Sequence, residues 1–495
     1  MSPETAILLA LAIPLVGAPF IVVFGRVPNR REAVTLVTAA LLFLAVARLI
    51  PVVMAGGRPT VTLFEILPGL PIAFEVEPLG MVFAAVASFL WIVTSVYSIG
   101  YMRGHHEKNQ TRFYVCFAIA LWAAIGAAFA GNMLTLFLFY EVLTICTYPL
   151  VTHSGTREAV AAGRTYLGIL LSTSIGLQLL ALIGTWTLTG TLDFAPGGIL
   201  EGKVGPGLAA LLYALYLFGI GKAALMPLHR WLPAAMVAPA PVSALLHAVA
   251  VVKAGVFTVM KVTVYIFGID FLAEAGASQI MMYVAGATIL IASLVALRQD
   301  NLKRRLAYST VSQLSYIVLG ATLANGLGAI GGAMHIAMHA FGKITLFFCA
   351  GAIDVAAHKT QVSQLNGIGR RMPITMCAFA IGSLSMIGVP PTAGFLSKWY
   401  MLLGSFEAEQ MFAVVVIVAS TLLNAAYFLP IVYAAFCRPP DPAAEPAAAE
   451  GGEKHGEAPL PIVLAVSVTA LGTVLLFFLP QLPLELARDM IGGAP

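Results

Sequence analysis

The chain has 495 residues, of which 60% are hydrophobic and only 10% are charged. An ordinary soluble domain carries about 25% charged residues, so this composition excludes a soluble enzyme and a disordered chain. The net charge of +4 is too small and too dispersed for a nucleic-acid-binding surface, and we expect no nucleic acid among the partners. The composition therefore predicts a protein that crosses a lipid bilayer many times.

A membrane helix needs roughly 20 apolar residues, and the sequence contains about fourteen apolar runs of suitable length. In chain order they lie at about 5–24, 33–54, 78–100, 113–130, 132–152, 165–188, 207–226, 242–268, 278–297, 306–321, 328–352, 372–406, 411–436 and 459–480. The run at 372–406 is too long for one straight span and contains a break. These runs predict an all-α polytopic membrane protein with about fourteen transmembrane helices.

The basic residues are distributed unevenly between the loops that join these runs. Alternate loops, beginning with the first, contain eighteen of the 27 Lys and Arg residues, and the other loops and the termini contain three. Because basic residues concentrate in cytoplasmic loops, we predict a bacterial or archaeal cell-membrane protein with both termini facing outward. The six remaining basic residues lie within the predicted spans, where Glu141 is the one acidic residue.

A charged side chain at bilayer depth costs roughly 2.5–3.5 kcal/mol, so each of these seven requires a reason. Arg48 and Lys261 lie within about two turns of the outer ends of their helices, and we expect both to extend toward the interface. On that interpretation, replacing Lys261 with leucine is nearly silent. Glu141 and Lys253 lie deeper and need partners inside the protein. As the one intramembrane acid, Glu141 is predicted to pair with Lys222.

Two lysines stand beside residues that interrupt helices. The breaks consist of Gly219, Gly221 and Pro227 around Lys222, and of Pro390, Pro391 and Gly394 before Lys398. Broken helices that run in opposite directions are typical of transporters built from inverted repeats. We therefore predict helices 1–3 at 1–112, inverted five-helix repeats at 113–268 and 278–436, a cytoplasmic loop at 437–458, and a final helix with its tail at 459–495.

His335, His339 and Lys343 follow one another at intervals of four residues. This spacing places them along one face of a helix, and both residue types exchange protons near neutral pH when they are suitably surrounded. The pattern predicts a proton relay through the membrane. His247, six residues before Lys253, either extends this relay or is a packing residue.

Five segments are similar to known sequences: FYEVLTICTYPLV (139–151), GIGKAALMPLHRWLPAAMVAPAPVSALLH (219–247), DNLKRRLAYSTVSQLSY (300–316), HIAMHAFGKITLF (335–347) and GVPPTAGFLSKWY (388–400). They resemble the antiporter-like membrane subunits shared by Mrp-type Na⁺/H⁺ antiporters, respiratory complex I and membrane-bound hydrogenases, most of all the D-type subunit of the Mrp antiporters. The resemblance implies that Glu141 and Lys222 are the family's glutamate–lysine pair, Lys253 its middle lysine and Lys398 its terminal lysine. It also implies that His335, His339 and Lys343 link the two halves.

The leading hypothesis is a proton-translocating subunit of a multisubunit Na⁺/H⁺ antiporter, a secondary transporter component rather than an enzyme. Its expected partners are a larger antiporter-like subunit, small membrane subunits, protons and Na⁺. The alternative is a proton-pumping subunit of complex I or of a membrane-bound hydrogenase. We expect no cofactor and no metal site in this chain under either hypothesis. A third possibility, an inert membrane scaffold, is disfavoured by the cost of its deep charges.

Overall fold

The computed structural model describes residues 2–440 and 456–492. Most of the loop predicted at 437–458, and the last residues of the tail, lie outside the described residues.

The described chain is predominantly helical, and its helices are α1 (Pro3–Val23), α2 (Pro28–Ala47), α3 (Ile50–Met54), α4 (Pro78–Gly104), α5 (Gln110–Ala128), α6 (Met133–Val151), α7 (Arg157–Thr173), α8 (Leu179–Thr189), α9 (Pro206–Gly219), α10 (Trp231–Ala234), α11 (Ala240–Ala244), α12 (Val251–Lys261), α13 (Ile269–Ala275), α14 (Gln279–Leu297), α15 (Leu302–Thr322), α16 (Gly326–Ala357), α17 (Pro373–Ile387), α18 (Ala393–Glu407), α19 (Met411–Cys437), α20 (Leu460–Phe478) and α21 (Gln481–Met490).

Eleven helical segments in the described part of the chain are long and apolar enough to cross a membrane. This confirms the predicted class, a polytopic helical membrane protein. The three other predicted runs are also helical, but α9 ends at a break, α15 contains many polar residues, and α17 and α18 are separated by a break. The exact count of fourteen spans and the inverted repeats stay predictions.

Two elements were not expected from the sequence. Strands β1 (Thr60–Leu67) and β2 (Leu70–Glu75) form an antiparallel hairpin in which Thr60 pairs with Glu75. The Glu75 N–H donates to the Phe129 carbonyl at 2.7 Å, which attaches the hairpin to the end of α5. We call this end of the bundle the hairpin end. Helix α21 was also missed because it is short and amphipathic rather than uniformly apolar.

The helices with the most deeply placed charges occupy the centre of the bundle. In the segment Ala240–Phe267, which includes α11 and α12, 100% of the residues in the most hydrophobic stretch are buried inside the protein. In α16, 94% of the corresponding residues are buried. The corresponding share is 44% for α1 and 33% for α20. The central helices are therefore shielded from lipid by other helices, and their polar side chains can be satisfied within the protein.

The two predicted breaks differ from continuous helix in a similar way. Helix α9 ends at Gly219, a 3₁₀ turn follows at Gly221–Ala223, and the chain stays irregular around Pro227 until α10 begins. Helix α17 ends at Ile387 and α18 begins at Ala393, so Pro390 and Pro391 lie in the break. Gly388 has φ +89°, a conformation that glycine adopts without a steric penalty. Each break thus leaves backbone groups free to bind side chains.

Candidate functional site: a buried series of titratable side chains

Lys222 lies in the first break and is fully buried. Its ammonium donates to the Tyr140 carbonyl at 2.7 Å and to the Thr144 hydroxyl at 2.5 Å. It also lies 3.1 Å from the centre of the Tyr140 ring, and the Tyr140 hydroxyl accepts the Lys222 backbone N–H. An acceptor-only carbonyl and an aromatic face both stabilise a cation. Helix α6 therefore provides the binding site for the Lys222 ammonium.

The predicted pair of Glu141 with Lys222 is not formed in this structure. No ion pair within 4.0 Å joins these two described residues, although Glu141 is near enough to act on the lysine electrostatically. The preceding residue, Tyr140, faces Lys222, whereas Glu141 lies on the same side of α6 as the exposed Leu138 and Ile145. Its Oε1 atom is buried without a hydrogen-bond partner. In this conformation Tyr140 and Thr144 hold the ammonium, and the role of Glu141 and Lys222 as a proton-transfer pair stays a prediction.

Lys253 and His339 form the centre of the site. Both are fully buried, and the Lys253 Nζ atom lies 2.6 Å from His339 Nδ1. A lysine ammonium has donors and no acceptor, so in this contact Nδ1 accepts and the ring proton belongs on Nε2 when the lysine is charged. A neutral lysine and a charged imidazole would satisfy the same geometry. The contact can therefore pass a proton between α12 and α16.

His335 continues this contact along α16. Its Nδ1 atom lies 2.7 Å from the Ser397 hydroxyl and its Nε2 atom lies 3.1 Å from Gln313 Oε1. The His335 and His339 rings are stacked with their centres 5.7 Å apart. A hydroxyl both donates and accepts, so Ser397 can follow either tautomer of the ring. The next residue, Lys398, belongs to the second break.

Lys398 projects back toward the free carbonyls at the end of α17. Its ammonium donates to the carbonyls of Met386 at 2.6 Å and Ile387 at 3.2 Å, and lies 4.5 Å from the centre of the Tyr316 ring. The unsatisfied carbonyls at a helix C-terminus carry partial negative charge. The two breaks thus hold their lysines with different oxygens, a carbonyl and a hydroxyl of α6 for Lys222 and helix-end carbonyls for Lys398.

Lys343 and His247 are also fully buried, but they join the series less directly. The Lys343 ammonium donates to the Ser309 hydroxyl at 2.8 Å, which also accepts the Tyr427 hydroxyl at 3.2 Å. Both ring nitrogens of His247 lack a partner among the described residues, and its ring centre lies 4.7 Å from that of Phe347. The role of His247 in the relay stays a prediction.

The neutral partners of these titratable side chains were not predicted from the sequence. They are Tyr140, Thr144, Ser309, Gln313 and Ser397. The sequence contained a signal for two of them, because Ser309 and Gln313 are one turn apart in a predicted span that is unusually polar. Tyr140 and Ser397 adjoin charged residues in the sequence and Thr144 is one turn from Glu141, but their roles depend on contacts with other helices.

The expectation that Lys261 extends to the interface is wrong. Its side chain is only 1% exposed, and its ammonium lies 3.0 Å from Glu77 Oε1. The apolar runs place Glu77 in a loop, yet it is the N-cap of α4 and is 2% exposed. Glu77 is therefore a buried acid just before the span that begins at Pro78. The prediction that Lys261→Leu is nearly silent is withdrawn, because that change leaves the Glu77 carboxylate buried without its cation.

Comparison with known proteins decides which family has this arrangement. The sequence profile of the family described as "NADH:quinone oxidoreductase/Mrp antiporter, TM" matches residues 130–424. The chain belongs to this family. A second profile, "NADH-Ubiquinone oxidoreductase (complex I), chain 5 N-terminus", matches residues 69–114. These matches confirm the resemblance noted in the sequence, and they include both breaks and each titratable residue of the predicted relay.

Individual members of the NADH:quinone oxidoreductase/Mrp antiporter family support the same assignment. "NADH-quinone oxidoreductase subunit N" of Desulforudis audaxviator is 34% identical over 421 residues, which are 83% of this chain and 82% of that protein. "NAD(P)H-quinone oxidoreductase subunit 5, organellar chromatophore 1" of Paulinella chromatophora is 32% identical over 428 residues, 80% of this chain but 62% of that protein. A chain in the solved structure of the Mrp complex from Dietzia sp. DQ12-45-1b has a TM-score of 0.86 at 24% identity, covering 99% of this chain and 98% of that one. At this identity, the structural similarity establishes the fold.

Proposed function

We propose that this chain is the proton-translocating subunit of a multisubunit monovalent cation (Na⁺)/H⁺ antiporter. The observation that supports the proposal is the Lys253–His339–His335–Ser397 series, in which consecutive side chains from α12, α16 and α18 are in contact within the buried centre. The series lies between the Lys222 break and the Lys398 break. Each deep charge costs roughly 2.5–3.5 kcal/mol at bilayer depth, and reversible protonation gives the protein a reason to retain it.

Lys222 and Glu141 are proposed to control proton transfer at the first break. In the conformation seen here, Tyr140 and Thr144 hold the ammonium while Glu141 Oε1 has no partner. Movement of the ammonium from these oxygens to the Glu141 carboxylate would produce the closed pair, which favours the proton on lysine. Movement away from both acceptors favours release of the proton to the next site. Because such groups titrate together, the proton belongs to the cluster rather than to one residue.

The series from Lys253 to Lys398 is proposed to carry the proton between the two halves. The proton passes from Lys253 Nζ to His339 Nδ1, and the imidazole releases its other proton from Nε2, which has no hydrogen-bond partner among the described residues. A water molecule between the stacked rings is proposed to carry this proton to His335, whose Nδ1 atom faces the Ser397 hydroxyl. Lys398, one residue further on, then receives it while its carbonyl partners stabilise the charged form. Lys343 lies beside this path, and its positive charge opposes a second proton on the neighbouring histidines. No nucleophile and no catalytic reaction is required.

A second candidate is a proton-pumping subunit of a redox complex. The specific observation in its favour is the 34% identity to the NADH-quinone oxidoreductase subunit of Desulforudis audaxviator over most of both chains. The structural similarity to a chain of the Mrp complex shows the shared fold. Both candidates use the same buried series and differ in the complex that drives it. Assembly with other membrane subunits, outward termini and the division into repeats at 113–268 and 278–436 are part of the proposal.

The test is proton transport in inverted membrane vesicles that contain the whole complex, followed with a fluorescent pH-gradient dye. Under the antiporter proposal, a NaCl pulse collapses a preformed gradient, and Lys222→Ala and Glu141→Ala abolish this response while the complex still assembles. Lys203→Ala is the control because this lysine lies in an exposed loop. A normal Na⁺ response in both variants refutes the mechanism, whereas lost assembly indicates a scaffold. A gradient driven by NADH or hydrogen oxidation instead supports the redox complex.

A further inference from the structure

An apolar groove lies between α1 and α2, outside the series described above. It encloses about 530 Å³. The floor is formed where the two helices approach closely, because a Cβ atom built on Gly17 would lie 2.4 Å from Thr38 Cγ2. The groove can therefore contact an apolar chain on several sides, whereas a single helix offers it a convex surface. Its walls are exposed side chains, which include Leu9, Val16 and Phe20 on α1 and Ala33, Val37 and Leu41 on α2.

The length of the groove matches one leaflet of a bilayer. Leu9 and Phe20 are eleven residues apart, which corresponds to about 16 Å along α1. The hydrocarbon core of a bilayer is roughly 30 Å thick. The groove begins at Phe20 and Ala33, close to the turn that joins the two helices, and ends near Leu9 and Leu41. A partner's membrane helix would need contact across both leaflets, so this length favours a lipid acyl chain.

Polar contacts hold the turn between α1 and α2 against α4 and α5, at the end of the bundle opposite the hairpin end. Arg31 donates to Gln110 Oε1 at 2.7 Å, and Arg103 donates to Asn29 Oδ1 at 2.6 Å. Both arginines also form ion pairs with Glu32. Because Glu32 is the one acidic residue of α2, its negative charge is already shared by two cations.

Two other arginines of this turn have no such partner. Arg26 and Arg30 are exposed, and neither forms a hydrogen bond or an ion pair within the described chain. Arg30 lies on the groove face of α2, since Ala33, Val37 and Leu41 follow it after three, seven and eleven residues. A guanidinium binds phosphate through two parallel N–H donors. The end of the groove at this turn is therefore suited to an anionic headgroup.

We propose that the groove between α1 and α2 binds one anionic phospholipid, with an acyl chain along the groove and the phosphate on Arg30 and Arg26. The lipid belongs to the leaflet opposite the hairpin end, which is the cytoplasmic leaflet under the proposed outward orientation of the termini. Anionic lipids of that leaflet attract basic residues next to the membrane. Lipid binding involves no proton transfer, so this site is additional to the proposed function and does not depend on it.

The test is photolabelling of the whole complex in phosphatidylcholine vesicles. The probe is phosphatidylglycerol with a photoreactive diazirine in its acyl chain, and mass spectrometry of peptides locates the labelled residues. We expect this probe to label residues 9–41 and an excess of unlabelled phosphatidylglycerol to prevent the labelling. Phosphatidylcholine with the same diazirine chain should label these residues much more weakly, because its headgroup has no net charge.

The headgroup contact is tested by removing both free arginines. In the double variant Arg26→Gln with Arg30→Gln, we expect the affinity for phosphatidylglycerol to fall about fivefold for each arginine. The matched control is Arg157→Gln with Arg164→Gln, since these exposed arginines lie on α7 at the same end of the bundle. The control should be labelled at residues 9–41 like the wild type.

The acyl-chain contact is tested by filling the groove. Ala33→Phe places a ring in the groove and leaves both arginines in place, so labelling of residues 9–41 should be lost. Ala287→Phe adds the same ring at an exposed position of α14 and should not affect this labelling. All of these changes are at exposed side chains, and native gels should show an assembled complex for each variant.

Equal labelling of residues 9–41 by both lipids overturns the proposal, because the groove then contacts bulk lipid without selecting a headgroup. Absence of label there with either lipid also overturns it and indicates that a partner subunit's helix covers the groove. Wild-type labelling in the arginine variant or in Ala33→Phe overturns the corresponding contact. Loss of labelling in these two variants, with normal labelling in both controls, supports the site.

Discussion

The contact between Gly255 and the first break allows a sharp test of how the position of Lys222 affects transport. Gly255 lies on α12 against the 3₁₀ turn that carries Lys222. A Cβ atom built on Gly255 would lie 2.5 Å from the Ala223 nitrogen and 2.8 Å from the Lys222 Cβ atom, whereas ordinary contacts begin at 3.4 Å. Because the nearest atoms belong to the backbone, Gly255→Ala must separate α12 from the turn by about 1 Å.

The expected cost follows from two opposing effects. Overpacking of a core costs about 1–3 kcal/mol, and alanine in place of glycine within a helix returns about 0.5–1 kcal/mol. The net loss of stability is therefore between about zero and about 2.5 kcal/mol, small enough for the complex to assemble. Displacement of a reacting group by 1 Å lowers rates by up to about 100-fold. We expect proton transport to fall between about tenfold and 100-fold.

The assay compares dye-detected proton transport with the amount of assembled complex on native gels. Gly168→Ala is the matched control, since Gly168 also lies in a membrane helix but has open space where a Cβ atom would be. That variant is expected to transport like the wild type and to be slightly more stable. If Gly255→Ala also transports like the wild type, a change of about 1 Å between α12 and the Lys222 turn is unimportant, and the proposed precision of this site is wrong.

Three further expectations follow from single contacts. Lys261→Leu is expected to destabilise the complex by about 3–5 kcal/mol, because it leaves the buried Glu77 carboxylate without its cation. Thermal unfolding measures this loss, and unchanged stability would contradict the ion-pair geometry. Gln313→Leu removes the acceptor near His335 Nε2, and we expect it to lower the free energy of unfolding by about 1–3 kcal/mol. Proton transport should be slower while the complex still assembles. Unchanged stability and transport would show that this contact is dispensable. Burial raises the pKa of Glu107 above its ordinary value of 4.5, so the folded state holds this proton more tightly than the unfolded state does. Stability is therefore expected to fall as pH rises from 4.5 through the raised pKa of the folded state. Glu107→Gln should lose this slope in unfolding measurements across pH, and an identical slope would contradict the expectation.

Composition and spacing were sufficient to predict the class of the protein and to select the candidate site residues, whose roles stay predictions. Apolar runs predicted the membrane helices, since the bilayer requires long apolar segments whatever the tertiary packing is. Glycine and proline predicted the positions of both breaks, because each residue changes the backbone conformation at its own position whatever the tertiary packing is. The four-residue spacing from His335 to Lys343 predicted a shared helix face for the same reason. The hairpin at 60–75 was missed because its cross-strand pairs and its attachment to α5 are not local properties.

The partners of each charge were decided by the tertiary structure. Lys253 and Lys261 are lysines on the same helix, and their sequence surroundings did not reveal that one contacts His339 and the other Glu77. Glu141 was predicted to pair with Lys222, yet the carbonyl and hydroxyl of neighbouring residues on α6 hold the ammonium. The sequence shows which charged residues need a partner because they lie within a membrane span. The atoms that bind these side chains belong to helices that are distant in the sequence. Only the packing of the helices brings those atoms within hydrogen-bonding distance, about 3 Å.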